Sequence, residues 1–229
     1  MIKYSYMENK FEKIKEIVEK EASFEHKMDH ILRVYNLCLL LAKDENIDLD
    51  VLKAAALLHD IARSKEDQDT TGKVDHALLG AEMAEPILRD LEFSEEQIQI
   101  IKDCIISHRY RNDHEPKTLE AKILFDADKL DTIGATGIAR SFVWIGKNDA
   151  MIYSDENPEE YIRNNLEGGK KNGRIIDRTK HSPQIEFQTK TKFLKEKLYT
   201  KKGKEVCEER LEYVIKFLDR LEKEIKGGI

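Results

Sequence analysis

The sequence contains few of the residues that punctuate β-rich proteins. Its 229 residues include only 4 prolines and 11 glycines. A β-sandwich needs turn residues at short intervals, so this scarcity disfavours that class. Hydrophobic residues make up 40% of the chain and charged residues 37%. Together these proportions predict an all-α protein.

Cysteine is also scarce, and its spacing excludes two kinds of site. Cys38, Cys104 and Cys207 are far apart and show no C-x-x-C pairing. Neither a disulfide framework nor a thiolate zinc site is therefore indicated. Unpaired thiols suit a reducing compartment, and we expect a cytoplasmic protein.

Long apolar runs are missing as well. The longest strongly apolar stretch, LCLLLA at 37–42, is far shorter than the roughly 18 residues of a bilayer-spanning helix. The N-terminal stretch MIKYSYMENKFEKIKEI lacks the apolar run of a secretory signal. A net charge of -6 argues against binding to nucleic acid or anionic membranes, which need a basic surface. No P-loop motif occurs either.

Several segments show helical periodicity. Residues 9–21 read as a charged helix, and a helix is predicted to begin after Asp50 as its N-cap. Asp75 is predicted to cap the next helix, after an exposed polar loop at 64–75. Ser94 and Gln97 match a capping box that opens a helix over 94–108. Four rows of side chains recur at helical spacing and are predicted to face inward. They are His30, Val34, Leu37, Leu41; Leu52, Ala55, Ala56, His59; Ile101, Cys104, Ile105, His108; and Leu124, Asp128, Asp131, Ala135.

The second half of the chain is less regular. Residues 146–186 mix turn residues with short apolar clusters and are predicted to form a long irregular excursion. Residues 187–226 are rich in Lys and Glu and predict amphipathic helices that dock on the core or on a second subunit, as in a homodimer.

Polar groups stand on the apolar faces where a leucine is expected. They are His30, the pair His59 and Asp60, and Asp128. Burying such groups costs free energy unless partners satisfy them, and one cation would satisfy several at once. Imidazole and carboxylate ligands without thiolate suit Mn, Fe, Co, Ni, Zn or Mg. We therefore expect one catalytic divalent metal ion.

The order of these residues carries a family resemblance. The series His30, His59-Asp60 and Asp128 resembles the H…HD…D signature of the HD-domain metal-dependent phosphohydrolases. The stretches EAKILFDADKLDTIGATGIAR and IISHR resemble the small, single-domain bacterial and archaeal HD hydrolases. The likeness runs from about residue 24 to the end of the chain.

The resemblance implies a fold and an activity. It implies one HD-type helical bundle over residues 1–229, with a metal-site core at about 24–145. It also implies that His30, His59, Asp60 and Asp128 hold one metal ion. With this ion bound, the protein is expected to hydrolyse phosphate esters or anhydrides. The expected partner is a small phosphate-containing substrate, most often a nucleotide, cleaved by metal-activated water.

Further residues are candidates for the same site. His76 and His108 are predicted to contact the substrate phosphate or to transfer protons, and some HD families use extra histidines to bind a second metal. Asp131 is predicted to act in catalysis, to orient a ligand or to cap a nearby helix. The expected substrate-binding cations are Arg63, Lys65 and Lys129. The carboxylates that closely follow the HD pair in some families are replaced here by Ala62 and Arg63, with Glu66 and Asp67 soon after.

Two other functions remain open at this level. The pocket could belong to a non-catalytic sensor of nucleotide or metal, which predicts tight nucleotide binding without turnover. An iron-dependent oxygenase on the same fold predicts iron and oxygen dependence, with a second metal recruited by His76 or His108.

Overall fold

A computed structural model describes residues 2–21, 27–109, 114–171 and 173–229. These residues are mainly helical, which confirms the all-α class, and their only β pairing is an isolated bridge between Leu166 and Ile175. None of their helices has the length and apolar character needed to cross a bilayer. The expected start of the core near residue 24 lies outside the described residues.

The chain contains two compact units, residues 1–128 and 129–229. The single domain expected over 1–229 stays a prediction, and each unit is described separately. The first unit contains the helices α1 (Ile2–Glu21), α2 (Lys27–Leu41), α3 (Leu49–Leu58), α4 (Arg63–Gln68), α5 (His76–Asp90), α6 (Glu95–Ser107) and α7 (Leu119–Leu130) as far as Asp128.

Helix α3 lies at the centre of the first unit. It packs against α1, α2 and α6, and its residues Val51, Leu52 and 54–58 are all buried. The last five residues of this helix, 54–58, are all apolar and buried, and such a segment is stable only when other helices surround it. The His-Asp pair follows this helix directly, with His59 as its C-cap, so the most buried helix of the unit leads into the pair.

Side-chain caps fix where several helices begin. Asp75 accepts hydrogen bonds from the backbone N–H groups of Ala77 and Leu78, as predicted. The capping box of Ser94 and Gln97 is also confirmed, with both of its hydrogen bonds present. Each cap satisfies backbone donors that the first turn of a helix leaves without partners.

The predicted N-cap Asp50 is wrong by two residues. The cap is Asp48, whose backbone is extended and whose Oδ1 accepts from the N–H groups of Asp50 and Val51 at 3.0 and 3.2 Å. Asp50 lies in the first helical turn. Both positions carry the same residue type, so composition alone did not separate them.

The predicted loop at 64–75 is also partly wrong, because its first residues form helix α4. Arg63 pairs with Asp67 at 3.2 Å, one helical turn away, and Ser64 is buried. Residues 69–75 remain non-helical. There the Asp69 carboxylate accepts hydrogen bonds from Thr71, Lys73 and Val74, which lower its pKa to about 2.

The second unit contains the helices α8 (Gly134–Asn148), α9 (Pro158–Asn165), α10 (Pro183–Thr189) and α11 (Lys201–Ile225). Helix α8 packs against α10 and α11, and α9 packs against α10. Tyr161, Leu166 and Ile185 form a buried cluster within this unit.

The prediction of an irregular excursion at 146–186 is therefore only partly right, because α9 and the start of α10 lie inside it. The amphipathic helix predicted in the tail is present as α11, whose buried residues Gly203, Cys207, Val214 and Leu218 follow a helical spacing.

One predicted row of side chains does not exist. Leu124, Asp128, Asp131 and Ala135 were expected on one helix, but α7 ends at Leu130 and α8 begins at Gly134. Gly134 has a φ of +76°, which an L-residue with a side chain rarely adopts. A Cβ on Gly137 would lie 2.2 Å from the backbone oxygen of Thr132. The two glycines therefore permit the tight turn at 131–133.

Candidate metal centre

The polar residues predicted from the sequence come from separate helices of the first unit. His30 lies on α2, His59 and Asp60 at the end of α3, and Asp128 near the end of α7. His59 is completely buried. The fold brings all four of these side chains together.

The first cluster contains His30, His59, Asp60 and Asp128. The Nε2 atom of His30 is 3.4 Å from Nε2 of His59 and 3.2 Å from Oδ1 of Asp128. Oδ2 of Asp60 lies 3.8 Å from Nε2 of His30 and 3.9 Å from Nε2 of His59. Nitrogen and oxygen ligands about 2.1 Å from one ion stand roughly 3 to 4 Å from one another. The donor types and separations of His30, His59 and Asp60 therefore fit a single divalent ion, and Asp128 lies beside His30.

A second cluster forms on the other oxygen of Asp60. Oδ1 of Asp60 lies 3.3 Å from Nε2 of His76 and 3.6 Å from Nε2 of His108. The two Nε2 atoms are themselves 3.3 Å apart. Ligand atoms of Asp60, His76 and His108 all lie within 4.8 Å of one another, as do those of His30, His59 and Asp60. One carboxylate thus faces two sets of imidazoles.

The hydrogen bonds of the ring Nδ1 atoms determine what the Nε2 atoms can do. Nδ1 of His108 lies 2.5 Å from the backbone oxygen of Ile105, and Nδ1 of His76 lies 2.5 Å from Oε2 of Glu66. A carbonyl or carboxylate oxygen accepts, so each Nδ1 carries the proton. In the neutral rings, both Nε2 atoms then present lone pairs to each other. Two acceptors at this distance need a cation between them.

His59 follows the same pattern in the first cluster. Its Nδ1 donates to the backbone oxygen of Ala56 at 2.8 Å, which leaves the Nε2 lone pair for the cluster. Burial lowers the pKa of His59 to about 4, and neighbouring imidazoles add to this effect against the opposing charge of Asp60. Metal ligation requires the neutral ring, and this environment favours it.

The pKa shifts of Asp60 and His76 also favour the protonation states that bind a metal ion. Burial alone would raise the pKa of Asp60, but His59 and His108 hold it well below its usual range. Burial lowers the pKa of His76, although Asp60 opposes this. The Asp60 carboxylate is therefore ionised around neutral pH, and burial favours the neutral rings of His59 and His76.

The side chain that orients His76 is Glu66, to which the sequence alone assigns no role. Oε2 of Glu66 accepts a hydrogen bond from His76. Oε1 of Glu66 forms an ion pair with Nη2 of Arg109 at 2.8 Å. Nη1 of Arg109 reaches Oδ2 of Asp75, the cap of α5, at 2.8 Å. The network joins α4, the start of α5 and the second residue after α6. The sequence shows Glu66 only as an acid that follows the HD pair, because its contact with His76 depends on helix α4, which the apolar pattern does not predict.

The other candidate residues are placed less centrally. Arg63 pairs with Glu66 and Asp67, and Lys65 lies 3.7 Å from Glu21; both cationic side chains are close to half exposed. Lys129 follows Asp128 in α7 but belongs to the second unit. Asp131, also in the second unit, is buried and bonded to Arg140. The roles predicted for these four residues stay predictions.

The comparisons with known proteins agree with this arrangement. The HD domain family model matches residues 28–133, which include all six residues of the two clusters. The Bacillus subtilis protein YpgQ is 28% identical over 209 residues, covering 88% of this chain and 85% of YpgQ. Protein MJ0778 of Methanocaldococcus jannaschii is 33% identical over 135 residues, covering 52% of this chain and 74% of MJ0778.

Solved structures show the same fold along almost the whole chain. The crystal structure of YpgQ has a TM-score of 0.71 and 26% identity, covering 96% of this chain and 98% of YpgQ. An HD-superfamily hydrolase from Bacillus thuringiensis has a TM-score of 0.69 and 25% identity, covering 98% of both chains. At the level of the family, this fold with its His/Asp cluster is that of a metal-dependent hydrolase. The chain belongs to the HD-domain superfamily.

Proposed function

We propose that the protein is a divalent-metal-dependent phosphohydrolase that acts on nucleotides. The observation that carries the proposal is the position of Asp60, whose two oxygens face two separate groups of imidazole nitrogens. A carboxylate shared in this way is the arrangement expected of a hydrolytic centre that binds one ion or a pair.

The ligands divide between two positions. His30, His59, Asp60 and Asp128 would hold the first ion, while Asp60, His76 and His108 would hold a second. The facing lone pairs of His76 and His108 favour this second ion over the proton-transfer role suggested by the sequence, because an acid or base needs Nε2 to exchange a proton with substrate. No cysteine joins either cluster, so a closed structural zinc site is disfavoured.

Divalent ions bound here would polarise phosphoryl oxygens and lower the pKa of bound water. The chain's own contribution is orientation. The carbonyls of Ala56 and Ile105 and the carboxylate of Glu66 keep a proton on Nδ1 of His59, His108 and His76 respectively. The three rings then hold their Nε2 lone pairs ready without rearrangement, as preorganised sites require.

The choice of a nucleotide rests on a relative. YpgQ has been crystallised in complex with ADP, and YpgQ matches this chain over most of both sequences. We therefore propose phosphoanhydride or phosphomonoester bonds of nucleotides as the bonds that are cleaved.

The test is to assay protein loaded with Mn²⁺, Co²⁺ or Mg²⁺ against nucleoside mono-, di- and triphosphates, identifying phosphate and pyrophosphate separately. Replacing Asp60 by Ala should reduce turnover to background and lower the bound metal content, while helicity by circular dichroism stays near that of the wild type. Asp44→Ala, at an exposed position, is the matched control.

Three outcomes would contradict the proposal. Full turnover by Asp60→Ala in the presence of chelator would exclude the mechanism. Tight nucleotide binding by the wild type without any turnover would indicate the sensor. Consumption of oxygen by the iron-loaded protein, without release of phosphate, would indicate an oxygenase.

A further inference from the structure

The second unit contains a cavity of about 310 Å³ that has no part in the proposed hydrolysis. It is lined by Thr132 and residues of α8, by Ile175, and by residues between His181 and Thr191, a segment that contains α10. None of the proposed metal ligands lines it. Its volume lies at the lower end of the range for small-molecule pockets. The lining combines a polar wall, one aromatic ring and an apolar patch.

The polar wall is built around a buried imidazole. His181 is 6% exposed; its Nδ1 lies 2.9 Å from the Tyr161 hydroxyl and its Nε2 lies 3.2 Å from Oε2 of Glu186. Lys190 reaches the same Glu186 oxygen at 3.2 Å. Burial alone would raise the pKa of Glu186, but the bond with His181 and the charge of Lys190 keep it below its ordinary value. The carboxylate of Glu186 is therefore ionised and neutralised by its neighbours.

Arg140 is a cation of the lining whose guanidinium keeps unused donors. Its Nη1 donates to the carboxylate and the backbone oxygen of Asp131. Its Nε and Nη2 atoms contact no acceptor in the described part of the chain. Those two nitrogens form the planar edge that binds a carboxylate or phosphate with two parallel hydrogen bonds. The side chain is 44% exposed, so a ligand can reach it from solvent.

The rest of the lining favours a flat ring. Trp144 lines the cavity and meets His181 edge-on, with ring centroids 5.2 Å apart. Ile145, Ile175 and Pro183 supply apolar surface. Aromatic side chains of this kind bind planar ligands by stacking or edge contact, and apolar neighbours exclude water from the ring.

We infer that this cavity binds a planar aromatic molecule that carries one oxyanion, with the oxyanion on the free edge of Arg140 and the ring against Trp144. A nucleoside monophosphate offers the phosphate form of this chemistry, and an aromatic carboxylate offers the other. The inference does not depend on the proposed hydrolysis, because it concerns binding without metal in the second unit.

The sequence supplies its own probe, since Trp144 is the only tryptophan of the chain. Tryptophan fluorescence therefore reports on this cavity. We would titrate the Asp60→Ala full-length protein in EDTA, which disables the metal centre, with AMP and separately with 3-phenylpropionate. Adenosine, which lacks the oxyanion, and inorganic phosphate, which lacks the ring, complete the series.

A saturable fluorescence change is expected with AMP if the site takes a phosphate, or with phenylpropionate if it takes a carboxylate. Adenosine and inorganic phosphate should bind at least about tenfold more weakly, because each loses one of the two recognition elements. The inference is wrong if neither AMP nor phenylpropionate gives a saturable fluorescence change. It is also wrong if adenosine binds as tightly as AMP and phenylpropionate does not bind.

Variants separate the two recognition elements. Arg140→Lys keeps a charge beside Asp131 but removes the planar edge, and should weaken binding about tenfold. Ile175→Phe narrows the cavity without altering charge and should also weaken binding. Arg163→Gln, on the exposed face of α9, should bind as the parent protein does. Unchanged affinity in both Arg140→Lys and Ile175→Phe would place the ligand elsewhere and contradict the assignment.

Discussion

Individual histidines of the centre differ in what orients them. His59 and His108 donate to backbone carbonyls of the preceding helical turn, so their orientation follows from helix geometry. His76 donates instead to the Glu66 side chain. A side chain can be replaced without rebuilding the helix, which makes His76 the ring whose orientation can be tested most directly.

We predict that Glu66→Ala weakens binding of the second ion by about 10- to 100-fold, the usual cost of losing a partner of a ligating histidine. Glu66→Gln should weaken it less, because the amide oxygen still accepts from Nδ1 while the ion pair with Arg109 is lost. Calorimetric titration with Mn²⁺ measures both sites. The first ion should be affected little.

Asp67→Ala is the control for this pair, since Asp67 contacts Arg63 but is not the acceptor for His76. An equal loss of the second ion in Asp67→Ala and Glu66→Ala would show that α4 as a whole, and not the Glu66 carboxylate, supports His76.

The buried His59 predicts how the stability of metal-free protein depends on pH. Its pKa is lowered from 6.5 to about 4, so the unfolded chain takes up a proton before the folded chain does. Stability is then complete above pH 6.5 and falls as pH drops toward 4, by on the order of 3 kcal/mol from this residue. The lowered pKa of His76 acts in the same direction. Asp60 contributes only below its ordinary pKa.

Urea denaturation in the presence of a chelator, between pH 6.5 and 4, measures how the free energy of unfolding of the metal-free protein changes with pH. His59→Gln should flatten this dependence, whereas His114→Gln, at an exposed position, should leave it unchanged. A wild-type free energy of unfolding that is constant between pH 6.5 and 4 would show that the His59 ring is accessible to protons in the folded state.

Helix starts show how far local sequence predicts the elements. Asp75 and Ser94 were correctly predicted as caps because each stands alone before an apolar periodic run. Helix α4 and the break at 131–133 were not predicted. The first depends on ion pairs along a polar stretch, and the second on the conformations that Gly134 and Gly137 allow. These are geometric features that a pattern of apolar residues does not contain.

The capping box of α6 gives a prediction at the same scale. Ser94→Ala removes the acceptor for the Gln97 backbone N–H, which lies 3.2 Å from the serine hydroxyl oxygen, and should lower the free energy of unfolding by about 1 kcal/mol. Ser94→Asp restores an acceptor and should stay close to the wild type. Equal losses in the two variants, measured by urea denaturation, would show that the cap does not determine the stability of α6.

The whole chain gathers its candidate ligands from distant positions. His30, His59, Asp60, His76, His108 and Asp128 span about 100 residues of the first unit and come from five segments. Helical spacing predicted His30, His59 and His108 on apolar faces, where a buried polar group needs a partner. The resemblance to the H…HD…D signature indicated His30, His59, Asp60 and Asp128 as ligands. The contact between His76 and His108, and the position of Asp60 between the two clusters, depend on how the helices pack and could not be predicted from the sequence.

Because the ligands converge only in the folded first unit, metal binding should stabilise that unit against unfolding. At a free concentration about 100 times the dissociation constant, one ion adds about 2.7 kcal/mol. We therefore expect Mn²⁺ to raise the urea midpoint of the wild type and to have little effect on Asp60→Ala, which loses the carboxylate that the two clusters share. The exposed variant Asp44→Ala should respond as the wild type does. An equal rise in Asp60→Ala would mean that the ion binds outside the two clusters, and the imidazole pairs would then need another explanation for their facing lone pairs.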